Sequence, residues 1–216
     1  MKDYRTLALK ELLAERVTSL LILLAVILST MMTAVIGQSA GVLSAMRQQQ
    51  AIALGGDRYA TFVQMDKARL SALQEDDRLS FVGTYVMLGT AELNPSLTLG
   101  INEYHEDVAA VYPSLSRVKE GRLPKAPMEI ALPEDVLQSL GFEGGLGDNL
   151  SLSLSKSLRH GLEISSYDYQ AGFVLVGILE SSYLNYTGGS VSGIAGQGTA
   201  EALLPESYFY YNVDIR

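Results

Sequence analysis

Residues 120–152 read EGRLPKAPMEIALPEDVLQSLGFEGGLGDNLSL, and their punctuation lays out a piece of an α+β domain. Gly121 and Arg122 make a turn, and Pro124 and Pro127 bound a link. Glu129, Ile130, Ala131 and Leu132 predict a short strand. Pro133, Glu134 and Asp135 open a helix, because proline fits where a helix N–H would lack a partner anyway. Gly141 closes that helix, glycine being the residue that turns left-handed at least cost. Gly144, Gly145 and Gly147 then turn the chain into NLSLSLS at 149–155, where Leu and Ser alternate with the period of a half-buried strand.

Working outward, residues 59–65 predict a strand, Asp66 caps a helix over 67–74, and residues 75–77 turn the chain back. A long β-prone stretch follows at 79–93, so the domain opens with a β–α–β unit. Asn94 and Pro95 break it. Residues 96–102 form the next strand, with Leu97, Leu99 and Ile101 alternating. A short helix is expected within 106–115, ending near Pro113. On the far side, 167–179 predicts a strand with Gly172 and Gly177 inside it. Residues 187–199 hold five glycines and read as a flexible loop. The aromatics Tyr208 to Tyr211 give the end of the chain, 203–213, a β-prone character. No internal repeat is evident.

Towards the N-terminus the chain changes character. Residues 17–36 read VTSLLILLAVILSTMMTAVI, and no Asp, Glu, Lys or Arg occurs from Val17 through Met46. A helix of that length matches the hydrocarbon core of a bilayer, about 30 Å. Thr30 and Thr33 are tolerable there because hydroxyls can bond back to helix carbonyls. Lys2, Arg5, Lys10 and Arg16 precede the span, which places the N-terminus in the cytoplasm and the remainder outside. Four regions follow: a cytoplasmic amphipathic segment at 1–16, with Leu7, Leu12, Leu13 and Val17 on one face; a transmembrane helix at 17–36; a helical stalk at 37–54 stopped by Gly55-Gly56; and an extracytoplasmic domain at 55–216. A cleaved signal peptide is the alternative, but the apolar run exceeds the usual 7–15 residues.

Composition excludes several classes. The chain has no cysteine and two histidines, so disulfides, thiol catalysis and Cys-based metal sites are out. From Gly37 on it carries 12 Lys and Arg against 21 Asp and Glu, a net near −9, which lacks the basic footprint of a nucleic-acid binder. No Walker loop, H-E-x-x-H or G-x-S-x-G occurs. The run GIAGQG at 193–198 reads as a mobile surface loop. His105, in NEYHEDV beside Glu103, Glu106 and Asp107, reads as an exposed polar loop residue, and His160 as a turn residue. Asn149 and Asn185 match the glycosylation pattern, which matters only in a eukaryotic secretory pathway. Tyr167 and Tyr169 alternate, as do Tyr208 and Tyr210. They read as packing on half-buried sheet faces, or else as an aromatic surface for a ligand or partner. No catalytic, cofactor-binding or metal residue is assigned, and no enzyme activity is expected.

The 120–152 block resembles the extracytoplasmic core of the MacB/FtsX-like ABC transporter permeases. The matching residues are Glu120-Gly121-Arg122, Pro124, Glu129-Ile130-Ala131-Leu132, Leu140-Gly141 and Gly147-Asp148, and 173–179 resembles the strand that follows in that family. The gap between the Leu-Gly and Gly-Asp pairs is slightly longer than the family's shortest. The order of basic segment, membrane helix, stalk and outer domain is also similar. The resemblance implies an α+β outer domain with a porter-like βαβ part and a β-rich insertion. It implies an ABC-type ATP-binding subunit on the cytoplasmic side, further permease helices or a second permease copy, and membrane lipid as partners. It also implies a bacterial plasma-membrane location and a role in export or mechanotransmission, with a peptide, lipid or lipoprotein as ligand. The family's remaining membrane helices are missing, so these residues are expected to be the N-terminal part of a longer permease. The rival expectation is a single-span sensor or binding ectodomain without a transport role.

Overall fold

In a computed structural model the described residues are 16–55, 58–107, 111–112, 115–181, 186 and 189–216. The chain divides into two units, at 1–49 and 50–216. The described part of the first belongs to one helix, α1 (Arg16–Gly55), whose last residues fall in the second unit; it is 40 residues long and hence about 60 Å. Its stretch Val17–Gln49 is long and apolar enough to cross a membrane. The large apolar side chains from Val17 to Met46 are all exposed, as expected of a helix solvated by lipid. Thr30 Oγ1 donates to the carbonyls of Val26 and Ile27, and Thr33 Oγ1 to that of Ser29, at 2.9–3.0 Å. The helix does not break at residue 37, so the expected span and stalk are one rod. The amphipathic segment expected at 1–16 lies, except for Arg16, outside the described residues.

The second unit begins with β1 (Ala60–Met65), α2 (Lys67–Gln74), β2 (Val82–Asn94) and β3 (Leu97–Tyr104). Then come β4 (Val118–Gly121), β5 (Glu129–Pro133), α3 (Glu134–Ser139), β6 (Asn149–His160) and β7 (Glu163–Leu179). β8 (Ser190–Ala195), α4 (Thr199–Leu203), a 3₁₀ turn (Glu206–Tyr208) and β9 (Tyr211–Ile215) complete it. Asp66 caps α2 as expected, accepting from the Arg69 N–H at 2.8 Å. The opening β–α–β unit is split: β9 lies between β1 and β2 and runs antiparallel to both.

The order β2–β3–β8–β5–β7–β6 returns to β2 through one pair, Thr90 opposite Ser155, so six strands close into a ring. β1 and β9 extend the sheet from β2, and β4 extends it from β7. Gly89 permits the closure, since a Cβ there would sit 2.9 Å from the Ser155 carbonyl oxygen. One core cluster draws on all six ring strands. It takes Val86 and Leu88 from β2, Leu99 and Ile101 from β3, Val191 from β8, Ile130 and Leu132 from β5, Phe173 and Leu175 from β7, and Leu152 and Leu154 from β6. Each such side chain contributes roughly 1.5–3 kcal/mol on burial. β6 alternates as its Leu-Ser pattern predicts, with Leu150, Leu152 and Leu154 buried and the first serines exposed.

Two expectations are corrected. Residues 187–199 are not a flexible loop: within them β8 lies in the ring, parallel to β3 and antiparallel to β5, with Val191, Ile194 and Ala195 buried. Its glycine answers a lack of room rather than a need for freedom. A Cβ on Gly193 would stand 2.4 Å from the Leu132 side chain. His160 is not in the turn either. It is the last residue of β6 and pairs with Glu163, leaving Gly161 and Leu162 to turn the hairpin. Of the helix expected within 106–115, residues 108–110 and 113–114 lie outside the described residues.

Candidate functional site

The block that carries the family resemblance is a structural staple. Arg122 grips the Glu129 carboxylate with both terminal nitrogens, at 2.8 and 2.5 Å. The backbone N–H groups of Lys125 and Ala126 donate to the same carboxylate at 2.9 and 3.1 Å. These bonds, the Arg122 pair foremost, hold its pKa down at about 2. The 122–128 link is thereby tied to the start of β5.

The glycine-rich turn at 196–198 presents backbone N–H groups as an anion site would, but the chain fills it from within. Glu103, buried on β3, accepts from the N–H groups of Gly198 and Ala200 at 2.9 and 2.6 Å. His105 Nε2 stands 3.8 Å from Glu103, and its ring lies 5.7 Å from that of Tyr211. His105 itself is exposed and lies in a bend after β3, as expected of a polar loop residue. Glu106 folds back to accept from the Thr84 N–H at 2.7 Å. Among the described residues no group of three or more His, Asp or Glu could hold a metal.

Two buried charges escape a sequence reading. Asp214, fully buried on β9, accepts from Tyr112 and Thr61 hydroxyls at 2.5 Å each and from Arg58 at 3.3 Å. Burial, and then the bond to Asp214, pushes the Tyr112 phenol up. A small polar cleft of about 180 Å³, lined by Tyr85, Asn102, Tyr104 and Ser192, opens beside this carboxylate. Lys156 takes a place in the buried row of β6, where its Nζ donates to the Met87 carbonyl at 2.5 Å. Burial lowers its pKa to about 8. For Lys156 the signal in the sequence is a charged residue at an apolar register position in SLSKSL, whereas Asp214 shares the polar register of YNVDI with Asn212 and gives no such signal.

The tyrosines do pack on half-buried faces. Tyr167 stacks on Tyr169 at 5.2 Å between ring centroids and meets Tyr208 at 5.4 Å. Tyr169 OH donates to the Leu88 carbonyl at 3.0 Å. Tyr210 and His160 lie 6.5 Å apart. Beyond this cluster the 209–211 run opens onto a cleft of about 590 Å³, also bordered by Asp66, Lys67, Glu201, Leu204 and Glu206.

The chain is thus a mixed α+β domain carried on one helix of membrane-spanning length and composition. It is similar to the extracellular domain of the noncanonic ABC-type transporter YknZ from Gram-positive bacteria, at 12% identity and a TM-score of 0.43, over 71% of this chain and 73% of that one. It is also similar to a domain of a candidate permease protein from Porphyromonas gingivalis, at 14% identity and a TM-score of 0.39, over 72% and 70% of the two chains. No family model and no curated protein sequence matches the chain.

Proposed function

We propose that the chain is the N-terminal part of a non-enzymatic ABC transporter permease, which couples ATP hydrolysis by a partner subunit to movement of its outer domain. The observation that carries this reading is the unbroken α1. At about 60 Å it is twice as long as a bilayer core requires, and it runs on to Gly55, five residues before β1. A sensor needs only an anchor, whereas a continuous rod can carry displacement. The motif matches in 120–152 support the same reading. In this arrangement the N-terminus is cytoplasmic, the domain extracytoplasmic and the cell bacterial. Residues 1–16 meet the ATPase.

The test is purification of the native protein from source membranes in mild detergent. The expected result is a polypeptide several times heavier than 23.4 kDa that carries an ATP-binding cassette protein with it. Leu12→Asp with Leu13→Asp should then uncouple hydrolysis from outer-domain motion. A 23.4 kDa chain that purifies without an ATPase would leave a single-span binding ectodomain.

A further inference from the structure

The larger aromatic cleft has walls, a floor and a charge. Phe209 and Tyr211 meet edge to face, 5.3 Å between centroids and 82° between planes, so their rings form a right-angled corner. Tyr210 adds a third ring, and the buried Leu204 supplies an apolar floor. At the rim stand three carboxylates, Asp66, Glu201 and Glu206, against Lys67, the single cation lining the cleft among the described residues. Asp66 is engaged by the α2 cap and by Arg69 at 3.6 Å, so the rim field falls chiefly to the exposed Glu201 and Glu206. That field reaches the corner: the Tyr211 phenol is pushed up by burial and then by Glu201 and Glu103.

We propose that this cleft is a docking site for a basic peptide segment of a partner protein, which lays a lysine or arginine side chain along the open faces of the rings. The faces of a right-angled aromatic corner attract a cation through their quadrupoles. The alkyl stem of such a side chain covers Leu204 and the rings while its head stays with the carboxylates. A volume of about 590 Å³ accommodates the side chain with its flanking backbone. A neutral sugar would use the rings but leave two carboxylates without a counter-charge, so the rim selects the cation. The domain's net charge of −10 steers a basic segment towards it.

The test uses the full chain in an uncharged detergent at low salt, titrated calorimetrically with N-acetyl-pentalysine amide. The matched control peptide carries an acetyl group on every side-chain amine. The charged peptide should bind and the acetylated one should not. Glu201→Gln with Glu206→Gln should weaken binding at least tenfold. Glu143→Gln with Glu180→Gln makes the same charge change elsewhere and should leave affinity within twofold. Tyr210→Ala should weaken binding several-fold, with the melting temperature confirming that each variant is folded. Equal loss in the two double variants would mean general charge attraction and would overturn the proposal, as would no binding. Equal binding of the acetylated peptide would point to a neutral ligand and overturn it too. The assay contains no ATPase, so its outcome is separate from that of the permease reading.

Discussion

At the scale of single residues, Lys156 and Glu129 are opposite cases. Glu129 is a charge that the fold wants: four donors surround it, and its stabilising effect is present at neutral pH and lost only as the pH falls from the usual carboxylate range towards 2. Lys156 is a charge that the fold resists. With its pKa lowered from 10.5 to about 8, the folded state gives up the proton before the unfolded chain does. Its cost is therefore full below pH 8 and is relieved as the pH rises towards 10.5. Lys156→Met keeps the volume and removes that cost. It should raise stability at pH 7 by roughly 1–3 kcal/mol. The gap to the parent chain should narrow between pH 8 and 9.5, because only the parent has the amine to titrate. Urea unfolding of both chains across that range reads it directly. A gap that stays constant with pH would place the amine outside the low-dielectric core.

At the scale of elements, β1 and β9 stand apart from the ring. β1 pairs only with β9, and β9 pairs with β1 and β2. What reinforces the pair is Asp214, which collects Arg58 and Thr61 from the β1 side and Tyr112 from the segment after β3. Asp214→Asn keeps the shape but removes the charge that these three donors share. It should cost about 2–4 kcal/mol. Amide hydrogen exchange should show the loss concentrated in β1 and β9, with β3, β5 and β7 unchanged, because the closed ring holds those strands independently. Uniform loss of protection would show that the domain opens as one unit instead.

At the scale of the whole molecule, the domain begins and ends on neighbouring strands. Ala60 lies opposite Ile215, and the Tyr59 N–H donates to the Ile215 carbonyl at 2.8 Å. On the proposed reading, a displacement carried along the chain from α1 would reach the sheet first at β1, which pairs with β9. This stretch of chain has no cysteine, so two introduced into it are its only sites for spin labels. In the transporter proposed above, labels at Thr33 and Gln48 should report a single narrow distance, as expected of one rigid helix. Ala45→Pro removes a helix bond and kinks the rod. It should broaden that distance and abolish ATP-driven motion of the outer domain, while ATP hydrolysis continues. Motion that survives the kink would mean that α1 is only an anchor.

The sequence by itself determined the apolar helix, the α2 cap, the 129–141 strand and helix, and the alternation of β6. Each of these is a local pattern whose period or capping residue needs no distant partner. Only the tertiary structure decided the rest. The glycine of β8 writes the same letter for crowding as for freedom, and only the Leu132 side chain against Gly193 tells the two apart. The ring closure at Thr90 and Ser155 joins residues 65 positions apart, which no local period announces. Asp214 and Lys156 look like surface charges until the register buries them, and the aromatic corner exists only because Phe209 and Tyr211 fold to a right angle beside carboxylates from α4, the α2 cap and the 3₁₀ turn. Charge and packing partners are set by contacts between distant segments, so they belong to the fold and not to any stretch of the chain.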